Sequence, residues 1–163
     1  MNSSHPKISS IQATLIAISL LATNAVNASS VKQIPNPYPT CFDSAAKRVG
    51  VSPLLLSSLG CVESKFNANA INRANKNGSS DYGLMQINSA ELPRLAQKGI
   101  GVEQLMEPCT NIQIGAEVLA QKIKSKGDTW RAIGAYNAAS EKKRQGYAWK
   151  VYNVMKAGVC VNA

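Results

Sequence analysis

Nine side chains in this sequence of 163 residues are carboxylates, and a single histidine, His5, accompanies them. His5 lies in a stretch that reads as a leader removed on export. With it goes every histidine-based chemistry: the remaining chain cannot assemble a Ser/His/Asp triad, a Cys/His pair or a His-ligated zinc. Chemistry then falls to carboxylates, tyrosines, lysines or thiols. Asp43, Glu91 and Asp128 sit at or just before expected helix starts, where attraction to the helix dipole accounts for them. Glu103, Glu107 and Glu141 lie in polar or turn segments, and Glu117 on the solvated side of an amphipathic helix. Glu63 and Asp81 remain.

Glu63 stands out by its company. Leu56, Leu59 and Glu63 keep helical spacing, so the acid continues a stripe that leucines begin, with Val62 and Phe66 beside it. A carboxyl pressed against apolar neighbours loses hydration, which disfavours the ionised form and raises its pKa. A value near ~6 suits a glycosidic general acid, which must be protonated at the start and recharge afterwards. Helix geometry alone leans toward an ordinary helix-end glutamate turned to water; the segments downstream tip the balance.

The elements that must position this acid follow from punctuation and periodicity. Residues 1–28 have the layout of a secretory signal: Lys7, an apolar run from Ile11 to Ala22, then Val26-Asn27-Ala28. Cleavage is expected after Ala28, with Ala25 as the second choice. The apolar run falls short of the ~20 residues of a membrane span, so no stable span is expected after processing. Residues 29–40 form a proline-rich extended lead, and 41–163 one compact, mostly α-helical domain.

Thr40 is expected to cap a helix from Cys41 to Val49, and Ser52-Pro53 to open a second reaching Lys65. Residues 67–80, with five asparagines, read as a polar loop, and a small hairpin is placed near 78–88. Ser89 would cap a helix to Lys98. Another helix spans Thr110 to Ser125, with Ile112, Ala116, Leu119 and Ile123 on one face. Thr129 would cap a short helix to Tyr136. A last helix, Arg144 to Ala157, turns Tyr147, Val151 and Val154 inward.

Four cysteines, Cys41, Cys61, Cys109 and Cys160, all follow the leader. An even count in an exported protein reads as two disulfides, and spacing alone leaves all three pairings open. No cysteine cluster suggests a metal, and no cofactor is expected. The formal net charge is +9. Such a balance invites a nucleic-acid reading, but export argues against it and leaves either anionic partners of the cell envelope or a plain solvated basic surface.

Four motifs, in order, then resemble the lytic transglycosylase (SLT) family: Glu63-Ser64-Lys65-Phe66-Asn67, Gly83-Leu84-Met85-Gln86-Ile87-Asn88, Gly134-Ala135-Tyr136-Asn137-Ala138 and Tyr147-Ala148-Trp149-Lys150-Val151. The likeness covers about residues 41–157 and is greatest to small, single-domain members that accompany secretion, conjugation and pilus machines. It implies a lysozyme-like α+β fold and a periplasmic enzyme acting on peptidoglycan glycan strands. Glu63 would be the catalytic acid and base, with Ser64 its motif partner. Gly83 to Gln86 would wall the glycan groove, Met85 and Gln86 reaching the sugar. Tyr136 and Asn137 would line the opposite side, and Tyr147 would approach the Glu63 carboxylate. The family's cysteine pattern implies Cys41 with Cys109, which leaves Cys61 with Cys160.

A second resemblance, from Glu63-Ser64-Lys65-Phe66-Asn67 through Asn77-Gly78-Ser79-Ser80-Asp81-Tyr82-Gly83 to Ser89, is to animal-type lysozymes, in which an acid at the place of Asp81 is a second catalytic carboxylate. The transglycosylase reading implies cleavage between N-acetylmuramic acid and N-acetylglucosamine with a 1,6-anhydro end as product. The lysozyme reading implies hydrolysis by Glu63 and Asp81 together. A third reading is an assembly protein that binds peptidoglycan without cutting it.

Overall fold

The computed structural model describes residues 34–127, 129–137 and 140–160. The leader assigned to 1–28 and the first part of the proline-rich lead fall outside the described residues, as does the side chain of Thr129. Asn36 fixes the entry to the first helix: its Oδ1 accepts from the Tyr38 N–H at 2.8 Å. Helix α1, Pro39–Val49, therefore starts at Pro39, whose locked φ suits a first helical position. Thr40 lies inside that first turn and is not the cap. Gly50 closes α1 in a left-handed conformation.

Helix α2, Pro53–Ser64, begins where Ser52 Oγ accepts from the Leu55 N–H at 3.4 Å. It stops at Lys65 and Phe66, both at positive φ. Strands β1 (Ile71–Asn72), β2 (Asp81–Tyr82) and β3 (Ile87–Asn88) make a small antiparallel sheet in that order, with Asn72 opposite Asp81 and Asp81 opposite Asn88. The asparagine-rich segment expected as a plain loop thus contributes a strand. Two residues leave no period to read, and their partners, Tyr82 and Asp81, lie beyond the loop.

After β3, Asn88 rather than Ser89 supplies the cap, its Oδ1 accepting from Ala90 N–H at 3.0 Å. A 3-10 turn, Ser89–Glu91, feeds helix α3, Leu92–Ala96, in place of one continuous helix. Helix α4, Val102–Met106, was not expected; the Gln104 side chain holds its entry by accepting from Gly101 N–H at 3.0 Å. Helices α5 (Pro108–Lys126), α6 (Thr129–Asn137) and α7 (Glu141–Ala157) complete the fold. Glu141 is thus the first residue of a helix, not a turn residue. Glu117 is not simply solvated either, since it pairs with Arg94 and Lys98.

Helix α5 packs on α1 and α6, and α7 packs on α6 and α2, so the helices enclose one core. Leu56, Leu59, Leu84, Ile112, Leu119, Val151 and Val154 are buried within it, each stabilising by about 1.5–3 kcal/mol. Disulfides join Cys41 to Cys109 and Cys61 to Cys160, tying α1 to the start of α5 and α2 to the chain beyond α7. Among the described residues no helix is long and apolar enough to cross a membrane. The mostly helical expectation holds.

Candidate active site

Glu63 occupies the last turn of α2, and its position follows from the stripe above it. Leu56 and Leu59 are fully buried, so the same face carries Glu63 to the edge of the core. Its carboxylate accepts a hydrogen bond from the Tyr147 hydroxyl of α7 and another from Asn137 at the end of α6. Burial strips water from the carboxyl and raises its pKa from the usual 4.5 to about 7. The two hydrogen bonds pull the other way, and the negative field of Asp81 adds to the rise. Near neutral pH the group is therefore close to half protonated.

Tyr136 and Tyr147 come from different helices. Burial, and secondarily the charge of Glu63, push both phenols well above their ordinary value. Both remain protonated donors. Tyr147 OH serves Glu63, and Tyr136 OH donates to the Met85 carbonyl at 3.1 Å. Ser64, beside the acid, donates from Oγ to the Leu84 carbonyl at 2.7 Å. The end of α2 is thereby locked to the turn between β2 and β3.

That turn corrects the expectation for one of its members. Met85 was expected to reach toward sugar, yet its side chain is fully buried. It fills the space above Gly115, where an added Cβ would lie 2.8 Å from it. The apolar thioether is worth more in the core than at a wet groove. Gly83 is buried too. Its φ of +72° disfavours any side chain, and a Cβ there would stand 2.4 Å from the Asn111 amide. Gln86 stays half-buried, its amide donating to the carbonyls of Gly83 at 2.8 Å and Ala70 at 3.3 Å. The turn serves as scaffold more than as a row of contact side chains.

Sequence reasoning missed the residue that holds this scaffold. Asn111, buried on α5, accepts from Met85 N–H at 2.6 Å and donates to the carbonyls of Tyr82 at 3.0 Å and Leu105 at 2.9 Å. One amide satisfies three backbone groups that would otherwise be buried without partners. A signal existed: Asn111 shares a face with Gly115 and Val118, a polar residue in an inward stripe.

Asp81 is held from several sides. Its Oδ2 accepts from Asn72 at 3.0 Å and from Asn75 at 2.8 Å, and its Oδ1 from Asn88 at 2.6 Å. The three amides fix the carboxylate on the sheet, and two of them, Asn72 and Asn75, come from the asparagine-rich segment. The structure thus brings Glu63, Ser64, Tyr147 and Asn137 together, sets Asp81 within electrostatic reach, and withdraws Gly83 and Met85 into the support.

Several known proteins are similar to this chain. The chain is 38% identical over 152 residues to a peptidoglycan-binding-like protein of Escherichia coli O157:H7, covering 86% of each. It is 38% identical to protein IpgF of Shigella flexneri, covering 69% of this chain and 76% of that one. It is 37% identical to invasion protein IagB of Salmonella typhimurium (strain SL1344), covering 73% and 77%. Among solved structures, a mutant of lytic transglycosylase Slt from Pseudomonas aeruginosa superposes with a TM-score of 0.63 at 22% identity over 77% of this chain. This chain spans 24% of that larger protein, so the likeness is one of fold. A family model for the transglycosylase SLT domain matches residues 40–151. With that match over most of its length, the chain belongs to the transglycosylase SLT domain family.

Proposed function

We propose that this chain is a periplasmic peptidoglycan lytic transglycosylase, with Glu63 as the one catalytic acid and base. The observation that carries the reading is a carboxyl raised to about 7 and gripped by a phenol. Protonated Glu63 gives its proton to the oxygen linking N-acetylmuramic acid to N-acetylglucosamine, and the bond to the muramic C1 breaks. Positive charge develops on the muramic ring. The ionised Glu63 then takes a proton from that sugar's 6-hydroxyl, whose oxygen closes onto C1 to leave a 1,6-anhydro end. One proton is lent and one recovered, because the nucleophile belongs to the substrate. Hydrogen bonds from Tyr147 and Asn137 stabilise the carboxylate between the two transfers. Gln86 and Tyr136 belong to the groove walls.

One relative is named an invasion protein, which is in keeping with a role beside a secretion-type machine, where a local opening of the wall would be needed. Solubilisation of purified sacculi tests the reading. The chain should clear the suspension, and Glu63→Gln should lose that activity by at least about 100-fold, the scale of a lost general acid. Binding to sacculi with no clearing by the unaltered chain would favour an assembly protein that does not cut.

A second reading has its own observation. Asp81 is oriented by three asparagine amides and acts electrostatically on Glu63. That disposition suits the second carboxylate of a retaining hydrolase, in which water completes the reaction.

A further inference from the structure

Six large apolar side chains are exposed among the described residues, and three of them stand in one groove. Trp130, Trp149 and Tyr152 are 43%, 63% and 38% exposed. Leaving such rings in water is costly, and a contiguous exposed apolar patch marks a contact surface. Their groove, about 920 Å³ between α6 and α7, is completed by Lys126, Arg131, Arg144 and Gln145. It lies on the side of α7 away from the catalytic grip. Tyr147 points into the core toward Glu63, whereas Gln145, Trp149 and Tyr152 face outward on the same helix.

The chemistry of the lining selects the occupant. Tyr152 sits between the two tryptophans, with ring planes at 69° to Trp130 and 89° to Trp149. Rings set edge to face build a corner and offer no single flat platform. A corner accepts a branched or aromatic side chain, whereas a sugar ring needs an open face and a surround of amides or carboxylates for its hydroxyls. The polar lining is cationic instead. Among the described residues its one acid is Glu141, which is paired with Arg144 at 3.6 Å. Tryptophan, tyrosine and arginine together are the composition of protein–protein hot spots. A second copy of the chain is a poor occupant, since each carries a formal charge of +9.

We infer that the α6–α7 groove is a docking site for an acidic, amphipathic peptide segment of a partner protein. Apolar side chains of that segment insert into the Trp130–Tyr152–Trp149 corner, and its carboxylates meet Lys126 and Arg131 at the rim. The inference stands apart from the glycan chemistry, because the groove shares no residue with the proposed active site.

The test uses the chain's own fluorescence, since Trp130 and Trp149 are its only two tryptophans. A displayed library of helical peptides is panned on the immobilised chain, and the enriched peptides are titrated while tryptophan emission is followed. Expected are acidic amphipathic sequences that shift the emission to the blue and weaken at least tenfold with added salt or with Lys126→Glu and Arg131→Glu together. Trp149→Ala should weaken them as much while leaving sacculus clearing unchanged. The inference is overturned if nothing enriches, if enriched peptides are neutral or basic, or if they bind Trp149→Ala equally well. A muropeptide that shifts the emission where peptides do not would overturn it in favour of glycan, and concentration-dependent dimerisation through the same residues in favour of self-association.

Discussion

The Tyr147 hydroxyl donates to the Glu63 carboxylate although the two residues stand 84 positions apart in the chain. Helix α7 thereby reaches across the core to hold the acid that ends α2. The bond favours the ionised form and opposes the effect of burial. Tyr147→Phe should therefore raise the Glu63 pKa further above about 7. The alkaline limb of the pH–activity profile should move upward, and stability at neutral pH should drop by about 1–3 kcal/mol, the range for a hydrogen bond to a charged group. A pH series of sacculus clearing, with thermal melts alongside, checks both.

Glu63 itself should cost the fold stability when ionised. Its folded value of about 7 lies above the unfolded value of 4.5, so the folded state binds its proton more tightly. The cost is absent below the unfolded value, grows as pH rises between the two, and is complete above the folded one. The shift corresponds to roughly 3 kcal/mol. Glu63→Gln, which keeps an acceptor for Tyr147, should melt higher than the unaltered chain near pH ~8 and equally near pH ~4. Equal melting at both would mean that the carboxyl is not desolvated.

The number of working carboxylates should show in the pH profile. With Glu63 alone, activity holds level on the acid side and falls above about pH 7. In that account Asp81 has no essential part in either proton transfer. Asp81→Asn should accordingly keep activity within about tenfold of the unaltered chain, whereas a loss as deep as that of Glu63→Gln would favour the two-carboxylate reaction.

Asn111 bears on the same site from below. Replacing it with alanine strands the Met85 N–H and the carbonyls of Tyr82 and Leu105, all inside the fold. Each orphaned group costs about 1–3 kcal/mol. Asn111→Ala should therefore lower stability by at least about 2 kcal/mol in a denaturant titration and loosen the Gly83–Gln86 turn that Ser64 and Tyr136 lean upon.

What could be read from the sequence had a local cause. Glu63 draws attention because an acid continues a leucine stripe, but helix geometry alone leans toward a glutamate turned to water, and the SLT motifs downstream tip the balance. Helices α2, α5 and α7 were visible through their caps and apolar faces. Tyr136 and Tyr147 were not marked by any local pattern. A tyrosine on an inward face reads as core packing, and only the likeness to the SLT family singled them out. Met85 was misplaced for the converse reason: its motif says that it is near the site, while its apolarity decides that it faces inward. Strand β1, helix α4 and the scaffold role of Asn111 depend on partners far along the chain. The aromatic groove escaped notice because Trp130 and Trp149 lie on different helices and meet only through Tyr152.

The end groups left on the glycan decide the central claim. Mass spectrometry of strands released from purified sacculi should find 1,6-anhydro muramic ends, each lighter by one water than a reducing end, and they should vanish with Glu63→Gln. Release of reducing ends alone would show that water, and not the sugar's own hydroxyl, attacks C1, and the single-carboxylate account would fail.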